Sequence, residues 1–199
     1  MPADHNAHHF GRSPALLDRN RAALVVVDVQ EKLLPVVRDA GRVAGNIGRL
    51  LEAAGLWRIP VLVSEQYPRG LGKTVDQIAE KLPTPRLSVC EKLDFSCWGC
   101  EEFRHQLHAV GRRQIVVVGI ETHVCVQQTV LDLTAAGYQT FVVVDAVSSR
   151  AAMDHDVALR RMTASTVIAV TAESVLFEWC ERAGSPEFKR TSALVKDFR

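Results

Sequence analysis

Leu24-Val25-Val26-Val27-Asp28-Val29-Gln30 is the stretch on which the fold turns. It opens with four consecutive apolar residues, three of them valine, with no polar residue between them. A strand with one face in water would alternate; an unbroken β-branched run calls for burial of both faces, as in a parallel sheet covered by helices. The run ends in an acid and an amide. A nucleotide-binding fold would place a glycine-rich turn here so that backbone amides could approach phosphate, yet Glu31-Lys32-Leu33-Leu34 contains no glycine, which excludes a dinucleotide or phosphate-loop site.

Working outward, five similar runs follow: Val61–Ser64, Leu87–Cys90, Ile115–Gly119, Thr140–Asp145 and Thr166–Val170. Helical spacing fills the gaps, with Val43, Ile47, Leu50, Leu51 and Ala54, then Phe103, Leu107 and Val110, then Val126, Val130, Leu131 and Leu133. Gly55, Gly111 and Gly137 stand where helices should close and strands soon begin. The alternation predicts a three-layer α/β/α fold with a six-stranded parallel sheet, Rossmann-like in outline. The segment from Tyr67 to Arg86 carries Pro68, Gly70, Gly72, Pro83 and Pro85. It should be a long surface excursion, with a short helix over 75–81. Ser185-Pro186-Glu187 is a good start for an appended C-terminal helix.

A chain of 199 residues suits one domain, placed at 18–199 behind a flexible arm at 1–17. Lys and Arg total 24 against 23 Asp and Glu, for a net charge of +1. That balance lacks the basic footprint of phosphate-backbone binding, so no nucleic acid is expected as a partner. No apolar stretch approaches the roughly 18 residues of a membrane span. Asp4 stands where a signal peptide would be basic, so nothing marks the chain for export. Five cysteines, an odd number, point to reduced thiols and a cytoplasmic setting.

In open parallel sheets ligands gather beyond the carboxyl ends of the strands. There the sequence offers an acid, an amine and a thiol. Cys125 follows a buried strand at the start of a helix expected over 124–136, where the dipole favours thiolate. Lys92 can serve as a fixed cation and Asp28 as a proton acceptor. Each also has a structural reading: Cys125 as a small buried residue packing a helix start, Asp28 as a cap, Lys92 as a solvated amine.

At these residues the chain resembles the isochorismatase-like cysteine hydrolases. Four segments carry the likeness: Leu24 to Gln30, Lys92-Leu93-Asp94-Phe95-Ser96, Val118 to Val126, and the helix from Thr129 to Gly137 leading into Tyr138–Asp145. The match runs from about Asp18 to Glu173. The resemblance implies a triad of Asp28 as base, Lys92 as charge-stabilising amine and Cys125 as nucleophile. It also implies a cis peptide between Ile120 and Glu121 that turns the amides of Glu121 and Cys125 toward a substrate carbonyl. The activity implied is hydrolysis of an amide-type C–N bond in a small molecule through a thioester, without metal or cofactor. Family members commonly form homo-oligomers, for which the Tyr67–Arg86 excursion and the C-terminal helix offer surfaces.

Within the family, nicotinamidases carry an Asp-x-His metal motif where this chain reads Ser64-Glu65-Gln66-Tyr67-Pro68, and isochorismatases proper generally lack the nucleophilic cysteine. Residues 65–72 resemble instead the isochorismatase-domain hydrolases whose substrates are undefined. Gln30, Glu65, Tyr67, Phe95, Trp98 and Thr122 are the expected pocket residues. The rival is a non-hydrolytic thiol redox sensor or binding protein on the same scaffold.

Cys97-x-x-Cys100, with His105 and His108 nearby, suggests zinc or redox chemistry. Four ligands packed into one helix start give poor tetrahedral geometry, so packing is the expected role and no metal is assigned. Cys90 and Cys180 are likewise expected to pack. His5, His8 and His9 belong to the arm. His123, two residues before Cys125, is expected at a pocket wall or interface rather than as a base.

Overall fold

The valine run forms the middle of the sheet. In the computed structural model, which describes residues 11–184 and 186–196, strand β1 (Ala22–Val27) is buried at all six positions. Its neighbours are β2 (Val61–Gln66) and β4 (Gln114–Ile120), both parallel to it and both fully buried. The remaining strands are β3 (Cys90–Lys92), β5 (Gln139–Ser148) and β6 (Ile168–Val170). All pairings are parallel, in the order β3-β2-β1-β4-β5-β6.

The helices, in chain order, are α1 (Ala40–Trp57), α2 (Pro68–Leu71), α3 (Asp76–Ala79), α4 (Glu101–Val110), α5 (Gln127–Ala135), α6 (Ala152–Thr163), α7 (Ala172–Cys180) and α8 (Pro186–Lys196). Alternate residues of β1 enter opposite cores. Leu24 and Val26 pack with Val43, Ile47 and Leu50 of α1 and with Val175, Leu176 and Trp179 of α7. Ala23, Val25 and Val27 pack with Phe103 and Leu107 of α4, Val130 and Leu133 of α5 and Met162 of α6. The unbroken valines thus serve two apolar layers, as the lack of alternation requires.

The chain leaves β1 for β2 and β3 on one side, then returns to lay β4, β5 and β6 on the other. The direction of winding therefore reverses between β1 and β4, and it is beyond the carboxyl ends at such a point that open parallel sheets gather their ligands. At that point Gly119 pairs in register with Val27. A Cβ on Gly119 would overlap the Val27 carbonyl oxygen, and its φ of +119° suits only glycine. This close approach brings the turn after β4 beside the end of β1.

Three local expectations change. The third strand covers 90–92 rather than 87–90, because the chain reaches the sheet only beside Ser64, Glu65 and Gln66. Gly55 does not close α1; the helix continues to Trp57 and Arg58 supplies the left-handed residue at φ 55°. The arm expected over 1–17 is anchored at its end. Leu17 is fully buried, its N–H donates to Glu178 Oε2 (2.7 Å), and Arg12 donates to the carbonyls of Leu17 and Glu178. Residues 1–10, with His5, His8 and His9, lie outside the described residues. The appended C-terminal helix is α8.

Candidate active site

Asp28 is the first residue past β1, with φ 52°, a left-handed conformation that Asp tolerates better than most residues. Its side chain is completely buried. Lys92, the last residue of β3, reaches it from two strands away: Nζ lies 2.7 Å from Asp28 Oδ2, with the two side chains 1% and 0% exposed. The ammonium also donates to Gln66 Oε1 (2.7 Å) and to the carbonyls of Phe95 (3.0 Å) and Asp94 (3.3 Å). Burial by itself would lower the Lys92 pKa. The Asp28 carboxylate outweighs it, with help from the Cys97 and Cys125 sulfurs, so the net shift is upward and the lysine stays charged.

Cys125 arrives from β4. The Ile120–Glu121 peptide is cis, the one non-proline cis bond among the described residues. Thr122–Val126 then form a π-type turn in which the Glu121 carbonyl accepts from Val124 N (3.1 Å) and Val126 N (3.2 Å). Cys125 is 5% exposed, and Asp28 and Lys92 are the charged groups that act on its thiol. Asp28, Lys92 and Cys125 therefore meet in one buried cluster.

The thiolate expected from a helix start is not the resting form. The regular helix begins only at Gln127. Burial, and then the Asp28 charge, push the Cys125 thiol well above its ordinary range; Lys92 pulls the other way but does not prevail. The proton rests on sulfur until something removes it.

Ser64, Gln66 and Cys97 belong to the same cluster and were not among the expected site residues. Ser64 Oγ donates to Asp28 Oδ1 (2.7 Å), so each carboxylate oxygen has its own donor. Cys97 is fully buried; its thiol donates to Ser64 Oγ (3.3 Å) and its N–H to Thr129 Oγ1 of α5 (2.9 Å). Burial and the Asp28 charge push that thiol up to about 11. The signal for Ser64 and Gln66 lay in strand period: residues 64 and 66 share one face of β2, and Glu65 points to the other.

The expected pocket residues separate accordingly. Glu65 Oε1 accepts from Thr74 N (2.7 Å) and Thr74 Oγ1 (2.8 Å), anchoring the excursion after β2. Gln30, fully buried, donates to the carbonyls of Gln66 (3.0 Å) and Gly72 (2.6 Å) and accepts from Gln66 N (2.7 Å). Both side chains are committed to holding backbone rather than facing a ligand. Thr122 is fully buried and bonded to His155 Nδ1 (3.0 Å). Burial, with Arg42 and Arg38, lowers the pKa of His155 against the opposing pull of Asp156 and Asp39.

Tyr67 and Phe95 are half exposed at the rim. Tyr67, with Lys92 and Leu93, lines a cavity of about 330 Å³. Phe95 and Trp98 line an adjoining one of about 470 Å³, and Trp98 also stacks edge-on with His108 and Tyr138. A larger cavity, about 630 Å³, lies at the opposite end of β2 between Arg58 and Leu87, away from the cluster. His123 Nδ1 is paired with Ser149 Oγ (2.9 Å), so its ring is not held toward Cys125. The Glu121 carboxylate accepts from Arg150 N and Nε, both 3.0 Å. Among the described residues no three His, Cys, Asp or Glu side chains converge as metal ligands.

Against known proteins, the isochorismatase domain model matches residues 22–174. The chain belongs to the isochorismatase family. It is 40% identical over 169 residues to isochorismatase domain-containing protein 1 of Salmo salar, an alignment covering 85% of this chain and 59% of the salmon protein. The chain thus spans less than two thirds of that relative. The secreted isochorismatase effector Isc1 of Phytophthora sojae is 38% identical over 178 residues, covering 88% of this chain and 85% of the effector. Among solved structures, the MAR1 ribonuclease of Caenorhabditis elegans superposes with a TM-score of 0.86 at 34% identity, covering 91% and 92% of the two chains. The Escherichia coli YcaC product, an octameric hydrolase of unknown specificity, shares the fold at TM-score 0.81 and 22% identity, covering 94% and 100%. The six-stranded parallel sheet with helices on both faces is the isochorismatase-type hydrolase fold.

Proposed function

We propose that this isochorismatase-family protein hydrolyses an amide-type C–N bond of a small molecule through a Cys125 thioester, with Asp28 and Lys92 completing the catalytic triad. The observation that carries the reading is one buried carboxylate bonded to the Lys92 ammonium (2.7 Å), with its charge acting on the buried Cys125 thiol. A carboxylate pinned by a fixed cation is placed to accept the thiol proton as sulfur attacks, without moving through solvent.

Asp28 takes the Cys125 proton as Sγ bonds to the substrate carbonyl carbon. The backbone amides of Glu121 and Cys125 receive the developing oxyanion. On collapse the C–N bond breaks and Asp28 protonates the departing nitrogen, leaving the thioester. Water then gives a proton to Asp28 as it attacks the same carbon, and that proton returns to sulfur with release of the acid. Lys92 stays charged throughout and steadies the carboxylate. Tyr67, Leu93, Phe95 and Trp98 form the rim over which a small, partly apolar substrate enters, and no metal or cofactor takes part.

A redox-sensing role for Cys125 fits less well, because sensor thiols are exposed and readily ionised whereas this one is buried and held protonated. Homo-oligomerisation is part of the proposal. The octameric E. coli fold neighbour supports it, as do Met153 (70% exposed) and Val157 (47%) along α6. A reducing, cytoplasmic setting is proposed from the thiols, with the secreted Phytophthora relative as the contrary precedent.

The test is intact-mass analysis after incubation with a panel of small primary and N-substituted amides, with a short RNA oligonucleotide as a further arm. Expected are acyl adducts confined to Cys125 and released acid, both lost in Cys125→Ala while the folded spectrum is kept. Hydrolysis of an amide that survives Cys125→Ala, or RNA cleavage that survives it, overturns the assignment.

A further inference from the structure

The cavity of about 630 Å³ at the far end of β2 takes no part in the hydrolysis proposed above. Its origin lies in the shortness of β3. β2 is paired with β3 only at Ser64, Glu65 and Gln66, so Val61, Leu62 and Val63 have no strand on that edge. The chain that could have extended β3 backwards passes through Pro83-Thr84-Pro85. Two of these three residues lack the N–H that a ladder needs, and residues 83–89 make no backbone hydrogen bond to β2. The gap where more of β3 would lie stays open.

Its walls come from both layers of the core. Ile59, Val61 and Val63 belong to the α1 side and Val110 of α4 to the other, while Leu82 and Pro85 come from the excursion. Arg58 and Arg86 are the only charged residues lining it among the described residues. Neither guanidinium has an ion-pair partner there. Arg58 sits just past α1 in the left-handed region, its N–H donating back to the Gly55 carbonyl (3.4 Å), which fixes where its side chain leaves the helix end.

We propose that this cavity binds a small amphipathic carboxylate, its apolar chain filling the gap beside β2 and its anionic head held by Arg58 and Arg86. The volume falls within the roughly 300–1,000 Å³ of small-molecule sites, which likewise combine apolar walls with a few polar groups that set orientation. A guanidinium matches a carboxylate through paired N–H donors. Charge sets the class. A neutral chain of the same length gains only the walls, and a cationic one is repelled by both arginines. The site is separate from the Asp28 cluster, which β2 meets at its other end through Ser64 and Gln66.

The test is calorimetric titration of the full chain with octanoate, octanol and octylammonium, together with a crystal soaked in 8-bromooctanoate. Expected is one octanoate site per chain, octanol about tenfold weaker, and no octylammonium binding. The bromine should lie between β2 and residues 82–87. Arg58→Gln and Arg86→Gln should each weaken octanoate about fivefold with the thermal midpoint kept. Gly55→Met should abolish binding: a Cβ there comes 3.7 Å from the Pro83 Cβ, an ordinary contact, and the longer side chain takes the ligand's space. Octanol binding as tightly as octanoate, a bromine beside Cys125, or an affinity untouched by both arginine variants would each overturn the proposal. So would the absence of any octanoate site combined with a lower assembled mass in Gly55→Met, which would mark the gap as a contact between copies of the chain.

Discussion

Replacing Lys92 by Met tests the centre of the cluster. The substitution keeps an apolar stem of similar length and removes only the ammonium. In the native protein that ammonium sits 2.7 Å from Asp28 Oδ2, with both side chains all but inaccessible to solvent. At an effective dielectric of about 20, unit charges so placed attract by about 6 kcal/mol. Desolvation of both ions offsets much of this, but removing one partner leaves the other buried and uncompensated, at a cost of about 3–5 kcal/mol. Asp28 would retain only the hydrogen bond from the Ser64 hydroxyl.

In urea denaturation with a slope of about 2 kcal/mol per molar, the midpoint should fall by about 2 M. Asp28→Asn alone should also destabilise, but less, because Gln66 and the carbonyls of Asp94 and Phe95 still accept from Lys92. The double variant should be more stable than the sum of the two losses predicts. A pH dependence follows. With Asp28 gone, only the lowering effect of burial remains dominant at Lys92, so its folded pKa drops below the unfolded value near 10.5. The unfolded chain then holds the proton longer than the folded one, and the Asp28→Asn deficit should narrow as pH rises toward 10. A Lys92→Met loss under about 1 kcal/mol, with no coupling to Asp28, would place the pair among solvent-screened contacts and refute the reasoning.

Gly119→Ala should cost more than about 4 kcal/mol or prevent folding, since its Cβ meets the Val27 backbone and φ is +119°; recovery of soluble, cooperatively melting protein would contradict this. Iodoacetamide labelling of Cys125, followed by mass spectrometry, should keep accelerating beyond pH 9 with no plateau at an ordinary thiol value, and Asp28→Asn should speed it by removing the charge that opposes ionisation. Cys97 is fully buried and its pKa rises from 9.0 to about 11, so it contributes about 3 kcal/mol that is intact below pH 9 and lost as pH climbs through 11. Cys97→Ala should flatten that alkaline fall in a urea series, and an unchanged slope would count against it.

Much of the site was legible from strand ends. Asp28, Lys92 and Cys125 stand where β1, β3 and β4 finish, and a parallel sheet collects its chemistry there. The partners of these residues were harder to see. Glu65 drew attention by its charge, yet period 2 turns it from the cluster and turns Ser64 and Gln66 toward it. Gln30 was expected in the pocket, but its amide is occupied by the backbone of residues 66 and 72, a pairing between segments far apart in sequence. Cys125 was expected as a thiolate from its place after a strand, whereas its ionisation depends on what surrounds the sulfur in three dimensions.

The valine runs, their unbroken apolar character and the spacing of the helices between them determined a six-stranded parallel sheet with two covered faces, because burial pattern is a local property written residue by residue. The sequence also carried the acid, amine and thiol to the correct strand ends. Which oxygen of Asp28 meets which donor, that Cys97 reaches Ser64, and that the Cys125 proton stays on sulfur were decided by the tertiary structure alone. Hydrogen bonds act over about 3 Å, and the strand order that sets those separations places β1 beside β4 and β3 at the edge.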